Sequence, residues 1–584
     1  MPPRDAIADA INAYFQYCHL QPLWLFDRND LSSVEECREE TIFSLLALSL
    51  CHSNHSFFKG RSEELSQKYA QLAREHIMLR IAQGKVTLST IQSLCMLTLA
   101  NFQANDVHLV SLHVNIAMTF AKCAGLDLES HHDEVSLQAE ARRRVFWSLH
   151  LLHQMYGQHG SVLNIIQDIE SPQYVTSHPD FRKKSNLLPP SMPLELVQGG
   201  GTQKNGIWAY MVQLSTLWRE VRMYVMQCDH TNSEPPWSVE SGYAVIGAHL
   251  MDLETKLPTY HRYDFARFSD REKEELQQNR GYWSPWLYLQ FAYHTIHSTL
   301  NHPFLYSSRP QQSAQLAVPN TFWKTSSELA FIHATWIVRL IDMVSEKAYR
   351  ISDPFIGHCV AIAATVHIYF CRAADRRIRE AAQVKMATCV TFLGELALLW
   401  PSCRRVLEKL QTLIHSAFPF NRSDREEEIS RGTISINTRL MWEILQYDFA
   451  GKDSHLPGHG LFHESLYQDN DDSDHEEHTV ETQIFHNPTT EVDMSTGGQA
   501  LPPYSGHPAN QSSQNARGRG RQDEQLPYSI ARTVPMLYAS VPEAAAAPWA
   551  TPGNSSTKGA AYDPFFQFQD AGSPFYGFWE VGNL

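Results

Sequence analysis

The chain has 584 residues, of which 43% are hydrophobic, and a formal net charge of -15. That is ample apolar material for a sizeable core, and the acid is concentrated late: from residue 452 onward there are 17 Asp and Glu against 6 Lys and Arg. The long first part is therefore nearly neutral, and a chain of this charge does not grip nucleic acid through a bulk basic face.

Helical periodicity begins at once. Residues 5–26 carry an aromatic-rich helical pattern (Ile11, Tyr14, Phe15, Cys18) that Pro22 ends. Thr41–Cys51 is apolar on most sides, the mark of a helix buried between neighbours. Glu63–Ala82 is amphipathic, and Thr87–Ala100 follows with Ser89 as its expected cap. Leu109–Ala124 places Leu112, Ile116 and Phe120 at helical spacing, and Gly125 suits its C-terminal stop. In Glu140–Tyr156, Val145, Leu149, Leu152 and Tyr156 fall on one face.

Residues 170–205 read as loop, with Pro189-Pro190 and Gly199-Gly200-Gly201. Helical patterns resume at 207–228, 244–256, 286–300, 327–349, 355–370, 381–399 and 404–417, and strand signals are scarce. The pattern predicts an all-α, multi-helix domain over residues 1–450.

Beyond it the composition changes. Residues 451–560 hold most of the late prolines, an acidic run from Asp469 to Glu477 and a short Arg-Gly stretch from Arg517 to Arg521. Such a segment buries too little apolar surface to offset its ordering entropy, and is expected to be a disordered acidic linker. Residues 561–584 differ again: Phe565, Phe566, Phe568, Phe575, Phe578 and Trp579 alternate with acids in a polar background. That is the composition of an acidic-hydrophobic activation segment, in which acids keep aromatics solvated and available to a partner groove.

The ten cysteines contain no Cys-x-x-Cys and mostly sit in apolar stretches, so reduced core thiols are expected. The N-terminus lacks the apolar run of a signal peptide, and nothing reaches the ~18 apolar residues of a membrane span. A soluble, intracellular chain is the expectation.

Candidate chemistry is thin. His131-His132-Asp133-Glu134 and His475-Glu476-Glu477-His478 resemble ligand clusters, but neither is His-Glu-x-x-His, and solvated polar loops are the simpler reading. Gly201–Gly206 opens like a phosphate loop, yet Ile207-Trp208 stands where Lys-Ser/Thr would hold phosphate and magnesium. No Gly-x-Ser-x-Gly marks a nucleophile, and no cofactor is visible. His153, near Arg144 and Tyr156, reads as a hydrogen-bonded core residue. Arg142-Arg143-Arg144 is the tightest basic cluster of the helical part. It sits near a helix start, unfavourable for cations, so internal ion pairing with a carboxylate such as Glu140 is expected over phosphate contact.

These residues carry a resemblance. Glu140-Ala141-Arg142-Arg143-Arg144-Val145-Phe146-Trp147 is similar to the Glu-x-Arg-Arg-Arg-x-Phe-Trp signature of the fungal-specific transcription factor domain, the middle homology region of fungal zinc-cluster regulators. Thr90–Leu97, His113–Ala121 with Ala124-Gly125-Leu126, the opening Tyr14-Phe15, and Leu300-Asn301-His302-Pro303-Phe304 resemble other parts of that domain over roughly residues 7–420. Two departures are His153-Gln154 for the usual Asp-Arg, and Ser161-Val162-Leu163 for Gly-Arg-Pro.

The resemblance implies a nuclear, non-enzymatic regulator of RNA polymerase II transcription. A helical domain would receive a signal, and the tail would recruit coactivator or transcription machinery. Arg142, Arg143, Arg144, Phe146 and Trp147 are then structural. Family members usually carry an N-terminal zinc cluster, and zinc is expected only if such a cluster is missing from this chain. DNA would be reached indirectly or through that missing domain, with a homodimer or a heterodimer with a DNA-binding regulator as the assembly. A non-DNA-binding scaffold or dominant-negative partner is the alternative, and a helical enzyme is the third reading.

Overall fold

In the computed structural model the described residues are 1–31, 37–128, 137–157, 172, 174, 205–228, 234–307, 319–373, 375–418, 433–446 and 479–483. All of them lie in the first of two units into which the chain divides, Met1–Asn487 with Phe575–Leu584. The second unit, Pro488–Pro574, lies outside the described residues, and so do all six tail aromatics, of which Phe575, Phe578 and Trp579 are grouped with the first unit.

The described part is helical, as the apolar periodicity predicts. Its principal helices are α1 (Arg4–Tyr17), α2 (Glu39–Ser49), α3 (Ser62–Ala82), α4 (Leu88–Gln103), α5 (Val107–Cys123) and α6 (Leu137–Tyr156). They continue with α7 (Ile207–Cys228), α8 (Gly242–Lys256), α9 (Arg280–Leu300), α10 (Asn320–Glu346), α11 (Phe355–Phe370), α12 (Arg376–Ala397), α13 (Pro401–Ala417) and α14 (Thr438–Leu445).

Polar residues set several ends. Asp106 accepts the Leu109 N–H at 3.1 Å to start α5, and Ser241 accepts that of Ala244 to start α8. Thr87 and Thr90 form a reciprocal capping box on α4, so Thr87 holds the cap that Ser89 was expected to hold. Gly125 ends α5 with φ of 61°, while the Leu126 N–H reaches back to the Ala121 carbonyl.

Two layers of packing follow from which faces are apolar. Helix α2 is buried almost all round because α1, α3 and α4 surround it, and α4 packs in turn on α5 and α6. Helix α9 is the counterpart in the second half, held between α7, α10 and α11. Helix α6 joins the halves by packing on both α4 and α7. Five tryptophans, Trp208, Trp218, Trp283, Trp286 and Trp400, are almost wholly buried in this core. Gly357 lets α11 approach closely: a β-carbon there would sit 2.7 Å from Cys403 Sγ.

The sequence reading starts α9 at Trp286, but the helix starts at Arg280 and runs through Pro285. Pro285 lies just past the first turn, so the helix forfeits one backbone hydrogen bond there, the one that residue 285 would have made to the Gly281 carbonyl. A second difference lies in the late segment. Strand β1 (Thr433–Asn437) pairs antiparallel with β2 (Thr479–Gln483), Ile434 opposite Thr482 and Ile436 opposite Val480. Residues 479–483 therefore have regular structure inside the stretch expected to be a disordered linker. Thr-Ile-Ser-Ile-Asn alternates at period two and buries both isoleucines completely, so β1 presents an anchored edge to which a short polar strand can bond.

Candidate functional site

The signature arginines are spent inside the protein. Because α6 begins at Leu137, Arg142 lies beyond its first turn, and the dipole penalty expected there is small. Arg142 Nη2 donates to the carbonyls of Ala124 (3.1 Å) and Gly125 (3.3 Å), the free end of α5. Arg143 meets Glu140 one turn back at 3.7 Å. Arg144 pairs with Asp27 at 2.8 Å and lies over the Trp24 ring. Glu140, nearest in sequence, thus meets Arg143, while Asp27 from the distant segment after α1 serves Arg144. Burial raises the Glu140 carboxyl above its ordinary range, against the pull of Arg144 and Arg143.

The same face of α6 fixes the N-terminal segment. Ser148 Oγ accepts from the Trp24 N–H (3.0 Å) and donates to the Trp24 carbonyl (3.2 Å). Phe146 and Trp147 are buried, and Trp147 stacks on Tyr174 at 4.4 Å. His153 is buried too, its pKa lowered to about 4 chiefly by desolvation, so its ring is neutral near pH 7.

A second polar centre joins three distant segments. Arg280, at the start of α9, is 4% exposed. Its Nε donates to the Gln16 carbonyl, and its Nη2 to Gln21 Oε1 (2.9 Å), the Arg350 carbonyl (2.7 Å) and Ser352 Oγ (3.2 Å). Tyr17 and Tyr349 supply ring faces to the guanidinium. Gln21 Oε1 also accepts from Ser284 and Ser352. Next to Ser352, Asp353 caps α11: its Oδ1 accepts the Phe355 N–H at 2.9 Å. Burial lifts the Asp353 carboxyl to about 7.

Sequence reasoning missed this centre, because its members are brought together over hundreds of residues. One sign was available: an arginine opening an aromatic run, Arg280-Gly281-Tyr282-Trp283, has apolar neighbours that water cannot share. The clusters His131-His132-Asp133-Glu134 and His475-Glu476-Glu477-His478 lie outside the described residues, as do residues 201–204 of the Gly201–Gly206 loop, whose last two residues lead into α7. Among the described residues no group of three metal-type ligands converges. No helix there is long and apolar enough to cross a membrane.

The fungal specific transcription factor domain family matches residues 11–153, from α1 through the signature helix. Over those residues the chain is similar to that domain. The curated relatives agree. It is 23% identical over 289 residues to the Zn(2)-C6 fungal-type transcription factor FTF1c of Fusarium oxysporum f. sp. lycopersici, covering 47% of this chain and 30% of that protein. To FTF2 of the same organism it is 24% identical over 221 residues, 37% of this chain and 19% of that protein. An uncharacterized transcriptional regulatory protein of Schizosaccharomyces pombe is 21% identical over 319 residues, 50% of this chain and 32% of that one. The chain thus spans about a fifth to a third of the length of these relatives. No solved structure matches it significantly.

Within the domain, the signature reads as a clamp. Its arginines close the end of α5 and hold the segment after α1, and its aromatics fill the space between. The family match stops at residue 153, whereas α9 to α13, which complete the core, extend far beyond it.

Proposed function

We propose that the chain is a pathway-specific regulator of RNA polymerase II transcription in a fungal nucleus, acting through its helical body and an acidic, aromatic activation segment. The observation that carries this reading is the match of residues 11–153 to a transcription factor domain, with the signature helix folded as that domain's internal clamp. The relatives' description as transcription factors supports it. Arg142, Arg143 and Arg144 are engaged internally and are not presented to phosphates as a cluster. DNA would be reached through a partner, as in a heterodimer with a DNA-binding regulator, or through a zinc cluster outside this sequence.

The activation segment is tested by replacing Phe565, Phe566, Phe568, Phe575, Phe578 and Trp579 together with Ala in the full chain tethered to a reporter promoter. Output should fall to background while the thermal unfolding midpoint stays unchanged, because the described core is built without these residues. Undiminished output would remove the segment from the account.

A further inference from the structure

Beside the Arg280 centre lies a small cavity whose polar side chains lack one kind of group. Asp353 is 5% exposed, and while its Oδ1 is used by the Phe355 N–H, its Oδ2 meets no hydrogen-bond partner among the described residues. Ser284, Tyr349, Ser352 and Gln21 line the cavity with it. Their hydrogens are committed elsewhere. The Ser284 and Ser352 hydroxyls both donate to Gln21 Oε1. Ser284 Oγ and Tyr349 Oη are 2.6 Å apart, and since the serine hydrogen is used, the tyrosine donates. The Gln21 amide hydrogens go to the Gln16 and His19 carbonyls. Tyr288, also in the wall, gives its hydrogen to Met155 Sδ. With Asp353 ionised, the side chains lining the cavity therefore offer acceptors, Asp353 Oδ2 and the lone pairs of Tyr349, and no uncommitted side-chain donor.

Charge narrows the choice of occupant. Arg280 has only neutral acceptors around it: backbone carbonyls, two glutamine oxygens and a serine hydroxyl. Its positive charge lies behind Gln21 and Ser352, which form one wall. A second cation in the cavity would face that charge at low dielectric, so the occupant that suits both ends is neutral. The space admits a single water-sized molecule.

We infer that this cavity is a binding site for one neutral hydrogen-bond donor, a water molecule, held on Asp353 Oδ2 and bridging the start of α11 to the Arg280 centre. The water supplies a donor hydrogen to Asp353 Oδ2 that none of the lining side chains supplies. It connects the segment after α1, the start of α9 and the 349–353 segment through one hydrogen-bonded network. Such a water is a structural part of the domain and costly to remove.

The test uses the full chain in two ways. An electron-density map good enough to show ordered waters should contain one peak within hydrogen-bond distance of Asp353 Oδ2. Thermal unfolding midpoints in ammonium, sodium and choline chloride at equal ionic strength should coincide, because no cation occupies the site. An empty cavity, a peak with the short, numerous contacts of a metal ion, or a midpoint raised only by ammonium or sodium would each overturn the proposal.

Discussion

Acidification is expected to unfold the helical body cooperatively, with a midpoint near about pH 5. The cause is the number of histidines buried without charge. Desolvation holds His52, His113, His150, His261, His302 and His367 at about 3, and His19, His153 and His297 at about 4. In the unfolded chain each returns to about 6.5. Between those values the unfolded state binds protons that the folded state refuses, so stability falls as pH falls through that window and is fully present above it. At pH 5 each such residue costs about 2 kcal/mol, so a handful offsets the ~5–15 kcal/mol of a typical domain. Asp353 has the opposite sign. Its carboxyl is raised to about 7, so it favours the folded state at low pH and withdraws that contribution as pH rises through 7, but it is one group against many. Near-ultraviolet circular dichroism followed from pH 8 to pH 4 checks this. A tertiary signal that persists to pH 4 would mean that these rings reach water.

The second large effect is expected at Arg280. Replacing it with Ala removes a buried cation that three segments share, leaves the Arg350 carbonyl without its donor and exposes the rings of Tyr17 and Tyr349 to a void. A loss of about 3–5 kcal/mol follows, comparable to breaking a buried charged network elsewhere. Arg280→Lys should recover only part of it, since one ammonium cannot span acceptors arranged around a planar fork. Urea unfolding midpoints of the three proteins give the order wild type, Lys, Ala. Equal midpoints for Lys and Ala would show that the fork geometry carries all of the effect, and unchanged midpoints would remove Arg280 from the stabilising core.

Much of this was legible in the sequence where a signal is local. The period of 3.6 in Val145, Leu149, Leu152 and Tyr156 placed α6, and Gly125 marked the end of α5 at its left-handed turn. The arginine cluster could be read as internal because three cations near a helix start call for a carboxylate, and Glu140 stands beside them. Its partners could not be read. Glu140 was the nearest carboxylate, but Asp27 is brought to Arg144 by packing between α6 and the segment after α1. The Arg280 centre was invisible for the same reason: Gln21, Arg280 and Ser352 have no spacing in common and meet only when three segments converge. β2 was missed because Thr-Val-Glu-Thr-Gln is too short and polar to stand out, and only the anchored edge of β1 gives it a place.

The central claim is that this chain regulates transcription through a segment separate from its helical body. The most direct measurement fuses the full chain, and the same chain cut after residue 540, to an unrelated DNA-binding domain in a fungal host. Strong reporter output from the full chain and background output from the shortened one is the predicted result. Equal output from both, or silence from both with the proteins present in nuclei, would contradict it.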